Sequence, residues 1–188
     1  MIQASSTLNL LAIPGNAKSF ARRLTAPQYQ KYLSKLTTAS NQCFYCQHTP
    51  DKNQTLYITN KDHNYDNNEF DNLVLSCYFC SYCQLLDLPY GKDQEKQHII
   101  YLPHISQIKL NQTYHQWQKM LQSKKNVFEI QEALTELYAL SDELMNKLGY
   151  HTNFQDLLGL FYRPYYNHPL LNKLRWVPDF DTLASFMI

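Results

Sequence analysis

Two pairs of cysteines constrain the fold of this 188-residue chain more than any other feature of its sequence. Two residues separate Cys43 from Cys46 and Cys77 from Cys80, and thirty residues lie between the pairs. Each Cys-x-x-Cys turn directs two sulfurs towards one point, so two such turns can complete a tetrahedron of thiolates around zinc. Because four sulfur ligands leave no open coordination position, the spacing predicts one structural Zn²⁺ ion rather than a catalytic one.

A fifth cysteine, Cys83, follows the second pair by three residues. On a helix that begins near Cys80 it would lie about one turn further along, on the same side. It can therefore be a core thiol, an alternate zinc ligand or a redox-labile site. We favour the core thiol.

The sequence predicts a cytoplasmic protein without direct membrane insertion. No stretch approaches the roughly 20 apolar residues that span a bilayer. The N-terminus lacks the basic and long apolar regions of a signal peptide. Thiols stay reduced in the cytosol, so clustered cysteines there are expected to bind metal rather than to form disulfides.

The charge of the chain gives no reason to expect a nucleic-acid ligand. Its formal net charge is +1, which provides no overall field that would attract phosphate. The charges are unevenly spread, with six basic and one acidic residue in 1–60 but three basic and seven acidic residues in 61–100. This asymmetry is compatible with protein docking, although solvated faces explain charge alone more simply.

Hydrophobic periodicity predicts an α+β fold with two regions. A zinc-binding region is expected at 1–104, and a mostly helical region packed on it is expected at 105–188. Strands are predicted over 7–13, 56–58, 73–75 and 98–102. Helices are predicted after an N-cap at Thr25, after the second cysteine pair, and over 105–122, 127–148 and 154–162. A proline-interrupted amphipathic segment is predicted over 171–188.

The segment between the cysteine pairs resembles the HNH nuclease module, which is built on a treble-clef-like zinc scaffold. The resemblance rests on Asp62-His63 and on Asn72, just before the second pair. In that family the Asp-His pair supplies a metal ligand and a general base, and a His or Asn after the last cysteine completes the metal site. Here residues 81–86 contain neither. We therefore predict no catalytic residues, with Asp62 and His63 as the candidates if the protein is a nuclease.

Several longer runs are similar to the DotN/IcmJ family. They are Cys43-Phe44-Tyr45-Cys46, the triple-cysteine segment at 77–83, and Ile100-Tyr101-Leu102-Pro103. The resemblance spans most of the chain and is densest over 43–103. It implies a degenerate HNH-like zinc fold and a non-enzymatic subunit of the type IVB (Dot/Icm) secretion machinery.

The same resemblance implies a location and partners. The location is the cytoplasmic side of the inner membrane, in the type IV coupling complex. The implied partner is the C-terminal extension of the coupling ATPase DotL, alongside DotM and IcmS–IcmW, and the role is to help recruit secreted effector proteins. The aromatic residues proposed for partner contacts are Tyr78, Phe79, Tyr82 and Trp176. Core packing competes with that role for each, and we favour it for Trp176. Two alternative functions stay open: a metal-dependent HNH endonuclease and a zinc-dependent nucleic-acid-binding module.

Overall fold

The computed structural model describes residues 7–52, 54–88, 97–149, 151, 153–162 and 169–184. The chain divides into two compact units. The first contains Met1–Leu88 with Tyr162–Pro164, and the second contains Pro89–Phe161 with Tyr165–Ile188. Each unit combines helices with a two-stranded antiparallel sheet, so the predicted α+β class is confirmed. The division expected at residue 104 stays a prediction.

In the first unit, two N-terminal helices precede a β-hairpin in the sequence, and a short third helix follows it. In the hairpin, Tyr57 lies opposite Ser76 and Asn60 lies opposite Leu73. A 3-10 turn at Phe70–Asn72 leads into the second strand. The elements are α1 (Asn16–Leu24), α2 (Pro27–Ala39), β1 (Tyr57–Asn60), β2 (Leu73–Ser76) and α3 (Tyr78–Cys83).

Helix α2 packs on the hairpin through one face. Buried Tyr29 lies in a cluster with Ile58 of β1 and Leu73 of β2. The Tyr29 hydroxyl also accepts a hydrogen bond of 3.1 Å from the backbone N–H of Ile58. A buried tyrosine therefore satisfies its polar atom on the strand that its ring covers. The partly buried residues around this cluster are Leu24, Ala26, Tyr32, Leu33 and Leu36.

Two predictions for the N-terminal part are wrong. Residues 7–13 form no strand: the Leu11 N–H donates to the Cys83 carbonyl at 2.8 Å, and its own carbonyl accepts from the Leu86 N–H at 2.9 Å. Leu10, Leu11 and Ala12 are buried, as in a strand, but Leu11 forms its backbone hydrogen bonds with the end of α3 and the residues after it. Thr25 is not the N-cap of α2, because it directly follows α1 and Ala26 occupies the cap position.

The second unit is mostly helical, which confirms that prediction for the C-terminal half. Its strands pair with His98 opposite Val177 and Tyr101 opposite Leu174. Helix α5 has the predicted bounds, and α4 begins two residues later than predicted. The elements are β3 (His98–Tyr101), α4 (Gln107–Gln122), α5 (Val127–Leu148), α6 (Phe154–Leu157), β4 (Leu174–Val177) and α7 (Phe180–Ala184). Further 3-10 turns are formed by Leu158–Phe161 and Leu171–Lys173.

The segment predicted as amphipathic over 171–188 contains strand β4, which the sequence analysis missed. Its residues 185–188 lie outside the described part of the chain. The centre of β4 is Trp176, which is fully buried. Gln107 of α4 holds the Trp176 backbone on both sides: its Oε1 accepts from the N–H at 2.8 Å and its Nε2 donates to the carbonyl at 3.0 Å. The strand is therefore fixed by distant partners as well as by its own side chains.

Among the described helices, none has both the length and the apolar composition needed to cross a membrane.

Candidate metal centre

The four cysteines of the two pairs meet at one point in the first unit. Their Sγ atoms all lie within 4.8 Å of one another, and all four residues are buried. The Sγ atoms of Cys46 and Cys77 are 3.6 Å apart, far beyond the roughly 2.05 Å of a disulfide bond. A tetrahedron with metal–sulfur bonds of about 2.3 Å has edges of about 3.8 Å. The group therefore has the dimensions of a single tetrathiolate metal site.

The first pair is held by a tight turn attached to the hairpin. The Cys43 N–H donates to the carbonyl of His48 at 2.8 Å, and the Cys43 carbonyl accepts from the Gln47 N–H at 3.0 Å. Gln47 has a φ of 60°, in the left-handed region that reverses the chain within one residue. Between the two cysteines, the Phe44 N–H donates to the Leu75 carbonyl at 2.8 Å. The turn is thereby fixed to β2, the strand that leads to the second pair.

The second pair lies at the start of α3. Cys77 occupies the position just before the helix, and Cys80 lies in its first turn. Residues three apart on a helix lie on the same face, so both sulfurs point the same way. The Cys77 carbonyl accepts from the Ser81 N–H at 2.9 Å, which closes this first turn. One turn and one helix start therefore supply two ligands each.

The metal-free thiols perturb one another strongly. Burial raises the pKa of Cys77 and that of Cys80 well above the ordinary value. Burial acts in the same direction on Cys43, but hydrogen bonds from the other three thiols outweigh it and hold the pKa of Cys43 well below its usual range. One thiolate is thus stabilised by the protons of its neighbours. A metal cation would take the place of those protons, so binding releases them.

Cys83, the predicted alternate ligand, lies outside this group. It is fully buried at the end of α3, and it forms no disulfide. Within the described ranges, the cluster of four is the one group of three or more His, Cys, Asp or Glu side chains placed to hold a metal ion. The structure therefore brings four sulfurs together rather than five.

Asp62 lies in the loop between β1 and β2 and is surrounded by amides. Its Oδ1 accepts from the Asn64 N–H and from Asn72 Nδ2, both at 2.9 Å. Its Oδ2 accepts from Asn67 Nδ2 at 2.7 Å. Burial raises the pKa of Asp62, but these hydrogen bonds lower it by a larger amount, so the pKa lies below its ordinary value. The carboxylate is thus the hydrogen-bonding centre of its own loop.

His63, the other residue of the HNH resemblance, is half-buried and has a φ of 58°. Its N–H donates to the Asn60 carbonyl at 3.1 Å, and its carbonyl accepts from Asn16 Nδ2 at 2.7 Å. Burial lowers the pKa of His63, while a hydrogen bond from the imidazole to Gln84 and the charge of Asp62 raise it to a smaller extent. Burial in this loop therefore favours the neutral imidazole of His63.

Arg23 of α1 is a residue of the site region that could not be recognised from the sequence. Its guanidinium donates to Asn60 Oδ1 at 2.6 Å and to the Ile58 carbonyl, and it lies 4.6 Å from the centre of the Tyr65 ring. It therefore fixes α1 to β1 and to the loop that carries Asp62. No local pattern marks this arginine, because its partners lie more than thirty positions away.

The four aromatic residues proposed for partner contacts differ in accessibility. Phe79, Tyr82 and Trp176 are buried, with relative exposures of 0%, 1% and 0%. Tyr78 is half-buried, and its ring centre lies 5.6 Å from that of Phe79. Of the four, Tyr78 alone is partly exposed to solvent. The role of these residues in partner binding stays a prediction.

Together, the fold and the site define an α+β protein with a buried tetracysteine metal-binding site. The type 4 apparatus protein DotN of Legionella pneumophila subsp. pneumophila is 29% identical to this chain over 114 residues, which cover 60% of this chain and 52% of DotN. The chain thus spans about half the length of the curated relative it matches. No model of a known protein family matches the chain. The similarity supports a relation to DotN-like proteins.

Proposed function

We propose that this chain is a non-enzymatic, zinc-stabilised adaptor subunit of a type IV coupling complex. The observation that carries this proposal is the similarity to the type 4 apparatus protein DotN in a chain that also has the buried tetracysteine site. The similarity indicates a type IV secretion apparatus. The tetracysteine site would stabilise the fold of the first unit by binding a metal ion.

The proposed metal is one zinc ion. Thiolates are soft ligands, and four of them in a tetrahedron favour zinc or iron. Zinc has no redox chemistry, which suits a cluster with a structural role. With Cys43, Cys46, Cys77 and Cys80 as ligands, no coordination position would be open to water or substrate. The ion would join the turn at 43–46 to the start of α3.

The proposed scaffold is a degenerate HNH-like zinc fold. The order of a cysteine turn, a β-hairpin and a helix with cysteines at its start is that of a treble-clef scaffold. Asp62 occupies the loop where the nuclease family places a catalytic residue, but three donors from that loop occupy its oxygens. These hydrogen bonds give Asp62 a structural role in its loop, which supports a non-enzymatic function.

The proposed partner is the C-terminal extension of the coupling ATPase DotL. DotM and IcmS–IcmW would belong to the same complex at the cytoplasmic face of the inner membrane, and the assembly would help to recruit effector proteins. This part of the proposal rests on the family resemblance of the sequence.

Co-purification tests the adaptor function. The full chain, co-expressed with a tagged C-terminal extension of the coupling ATPase from the same organism, is expected to be retained with it through size-exclusion chromatography. A tagged fragment of the ATPase motor domain serves as the control bait and is expected to retain none. Failure to bind the extension by a folded, metal-loaded chain would contradict the proposal.

A second assay tests the non-enzymatic part. Incubation with plasmid DNA and Mg²⁺, Mn²⁺ or Ni²⁺ is expected to leave the DNA intact. DNA cleavage that disappears in His63→Ala would instead establish the HNH endonuclease alternative. Salt-dependent DNA retention without cleavage would favour the nucleic-acid-binding alternative.

A further inference from the structure

The turn between α4 and α5 combines positive charge with exposed apolar side chains. Every residue from 122 to 129 is exposed. Phe128, with 73% of its surface exposed, is the most exposed large apolar side chain in the described part of the chain. Met120 and Val127 beside it are 40% and 39% exposed. The turn contains Lys124 and Lys125, and Lys119 lies beside it in the last turn of α4.

The backbone of this turn uses lysine at a position that glycine would occupy with less strain. Helix α4 ends in a Schellman motif, in which the Lys125 N–H donates to the Met120 carbonyl and the Lys124 N–H donates to the Leu121 carbonyl, both at 2.8 Å. Lys124 has a φ of 53°, and glycine is strongly preferred at such a position. The same protein uses Gly149, with a φ of 75°, to end α5. Lysine therefore occupies a position at which the backbone conformation favours glycine.

A second non-glycine residue in the turn, Asn126, has a φ of 55°. Within the described ranges, the other non-glycine residues with positive φ are Gln47 and His63. Gln47 shapes the metal centre, and His63 lies in the HNH-like loop. Asparagine tolerates the left-handed region, but lysine adopts it rarely. Because strained backbone is concentrated at functional sites, the conformation of Lys124 calls for a functional explanation.

The charges of the turn are not neutralised by neighbouring carboxylates. In the described part of the chain, none of the three lysines forms an ion pair. The nearest acidic residues in sequence are Glu129 and Glu132, in the first turns of α5. The helix dipole of α4 favours cations at this end, but it accounts for neither the exposed Phe128 nor the lysine at a glycine position.

We propose that the α4–α5 turn is a contact site for an anionic lipid bilayer. Phe128 and Val127 would enter the headgroup region, while the lysine ammonium groups lie among the lipid phosphates. Lysine is depleted at protein–protein interfaces, whereas lysines next to exposed apolar residues are typical of peripheral membrane segments. Nucleic acid fits less well, because contacts with a phosphate backbone would leave the exposed side chains of Val127 and Phe128 without an apolar partner.

So small a contact is weak and reversible. It would orient the protein on a membrane to which other contacts hold it, because linked weak sites reinforce one another. The inference goes beyond the proposed adaptor function and does not depend on it. The membrane contact belongs to the turn alone, so each proposal can fail without the other.

Vesicle co-sedimentation of the full-length, metal-loaded protein tests the proposal. Binding is expected to vesicles that contain phosphatidylglycerol, to weaken as salt is added, and to be absent with pure phosphatidylcholine. The double variant Lys124→Gln/Lys125→Gln is expected to lower the partition coefficient roughly tenfold or more. Phe128→Ser is expected to lower it as well. Lys173→Gln removes an exposed charge elsewhere in the second unit and is expected to leave it unchanged.

Lys124→Gly separates function from folding. It is expected to raise the midpoint of thermal unfolding, because glycine suits the left-handed position, and to lower vesicle partitioning about fivefold. The proposal is overturned if the protein does not bind vesicles that contain phosphatidylglycerol. It is also overturned if Lys173→Gln weakens vesicle binding as much as the double variant does. It is also overturned if the turn lysines prove necessary for retention on DNA or an acidic polypeptide while vesicle binding is absent.

Discussion

The Sγ atoms of Cys46 and Cys77 lie 3.6 Å apart, although 31 positions separate the two residues in the chain. The segment between them contains the hairpin β1–β2 and the loop of Asp62. A metal at this point therefore closes a long loop around a small sheet. Closing a long loop lowers the conformational entropy of the unfolded chain. The metal centre is therefore expected to contribute strongly to the folding free energy of the first unit.

The first prediction concerns the ligand set. Cys77→Ser is expected to lower soluble yield and to abolish metal binding, because structural zinc supplies about 10 kcal/mol or more of folding free energy. Cys83→Ala is the matched control, since Cys83 is equally buried but lies outside the cluster. It is expected to retain the metal and to lose only about 1–2 kcal/mol of stability, measured by thermal unfolding. Loss of metal in Cys83→Ala would place this cysteine among the ligands.

The second prediction concerns Arg23, which fixes α1 to the hairpin. Arg23→Met is expected to cost about 2–3 kcal/mol, because it leaves the Asn60 side chain and the Ile58 carbonyl without a charged donor. Denaturant unfolding of both proteins gives the difference. The control is Arg22→Met, which breaks an ion pair with Asp66 whose side chains are 76% and 77% exposed. This control is expected to change stability by less than about 0.5 kcal/mol, and equal losses in the two variants would contradict the assigned role of Arg23.

The third prediction concerns Gln107, which binds both backbone polar groups of Trp176. Gln107→Leu is expected to destabilise the protein by about 2 kcal/mol, since it leaves a buried N–H unsatisfied. Gln116→Leu is the comparison on the same helix, where the side chain is exposed. Hydrogen exchange at the Trp176 amide is expected to speed up in the first variant only. Unchanged protection of that amide would show that the strand is held in another way.

The fourth prediction concerns pH. His98 stacks on Tyr138, with ring centres 4.1 Å apart, and burial lowers its pKa while the charge of Asp179 raises it to a smaller extent. As the pH falls below about 6.5, the unfolded state binds a proton before the folded state does. The stability that His98 contributes is therefore present above that pH and is lost as the pH falls through the lower pKa of the folded state.

His98→Phe keeps an aromatic ring on Tyr138 and removes the titration. The free energy of unfolding of the wild type is expected to decline relative to this variant between about pH 7 and pH 5, and to run parallel to it above pH 7. Urea unfolding at several pH values measures both curves. Parallel curves throughout the range would mean that the pKa of His98 is the same in the folded and unfolded states.

The parts of the fold that could be predicted are those encoded locally. The Cys-x-x-Cys spacing specifies the direction of two sulfurs within four residues. The bounds of α5 follow from its periodic apolar side chains and from Gly149, which ends it in a left-handed conformation. Neither signal needs information from a distant part of the chain.

The parts that were missed depend on distant partners. Strand β4 exists because His98–Tyr101 lies beside it and Gln107 holds its backbone, and the segment itself lacks a clear alternation. Residues 7–13 have the apolar composition of a strand, but Leu11 pairs with the end of α3 instead. Arg23 is similar: its role becomes visible only when Ile58 and Asn60 are placed beside it.

We propose that Cys43, Cys46, Cys77 and Cys80 hold one structural zinc ion. Mass spectrometry of the protein under native conditions, combined with elemental analysis, tests it most directly. We expect one zinc per chain, a mass equal to that of the chain plus zinc minus the protons that the thiols release, and no zinc in Cys77→Ser. Folded wild-type protein without bound metal would contradict this proposal. A Cys77→Ser variant that binds as much zinc as the wild type would contradict it as well.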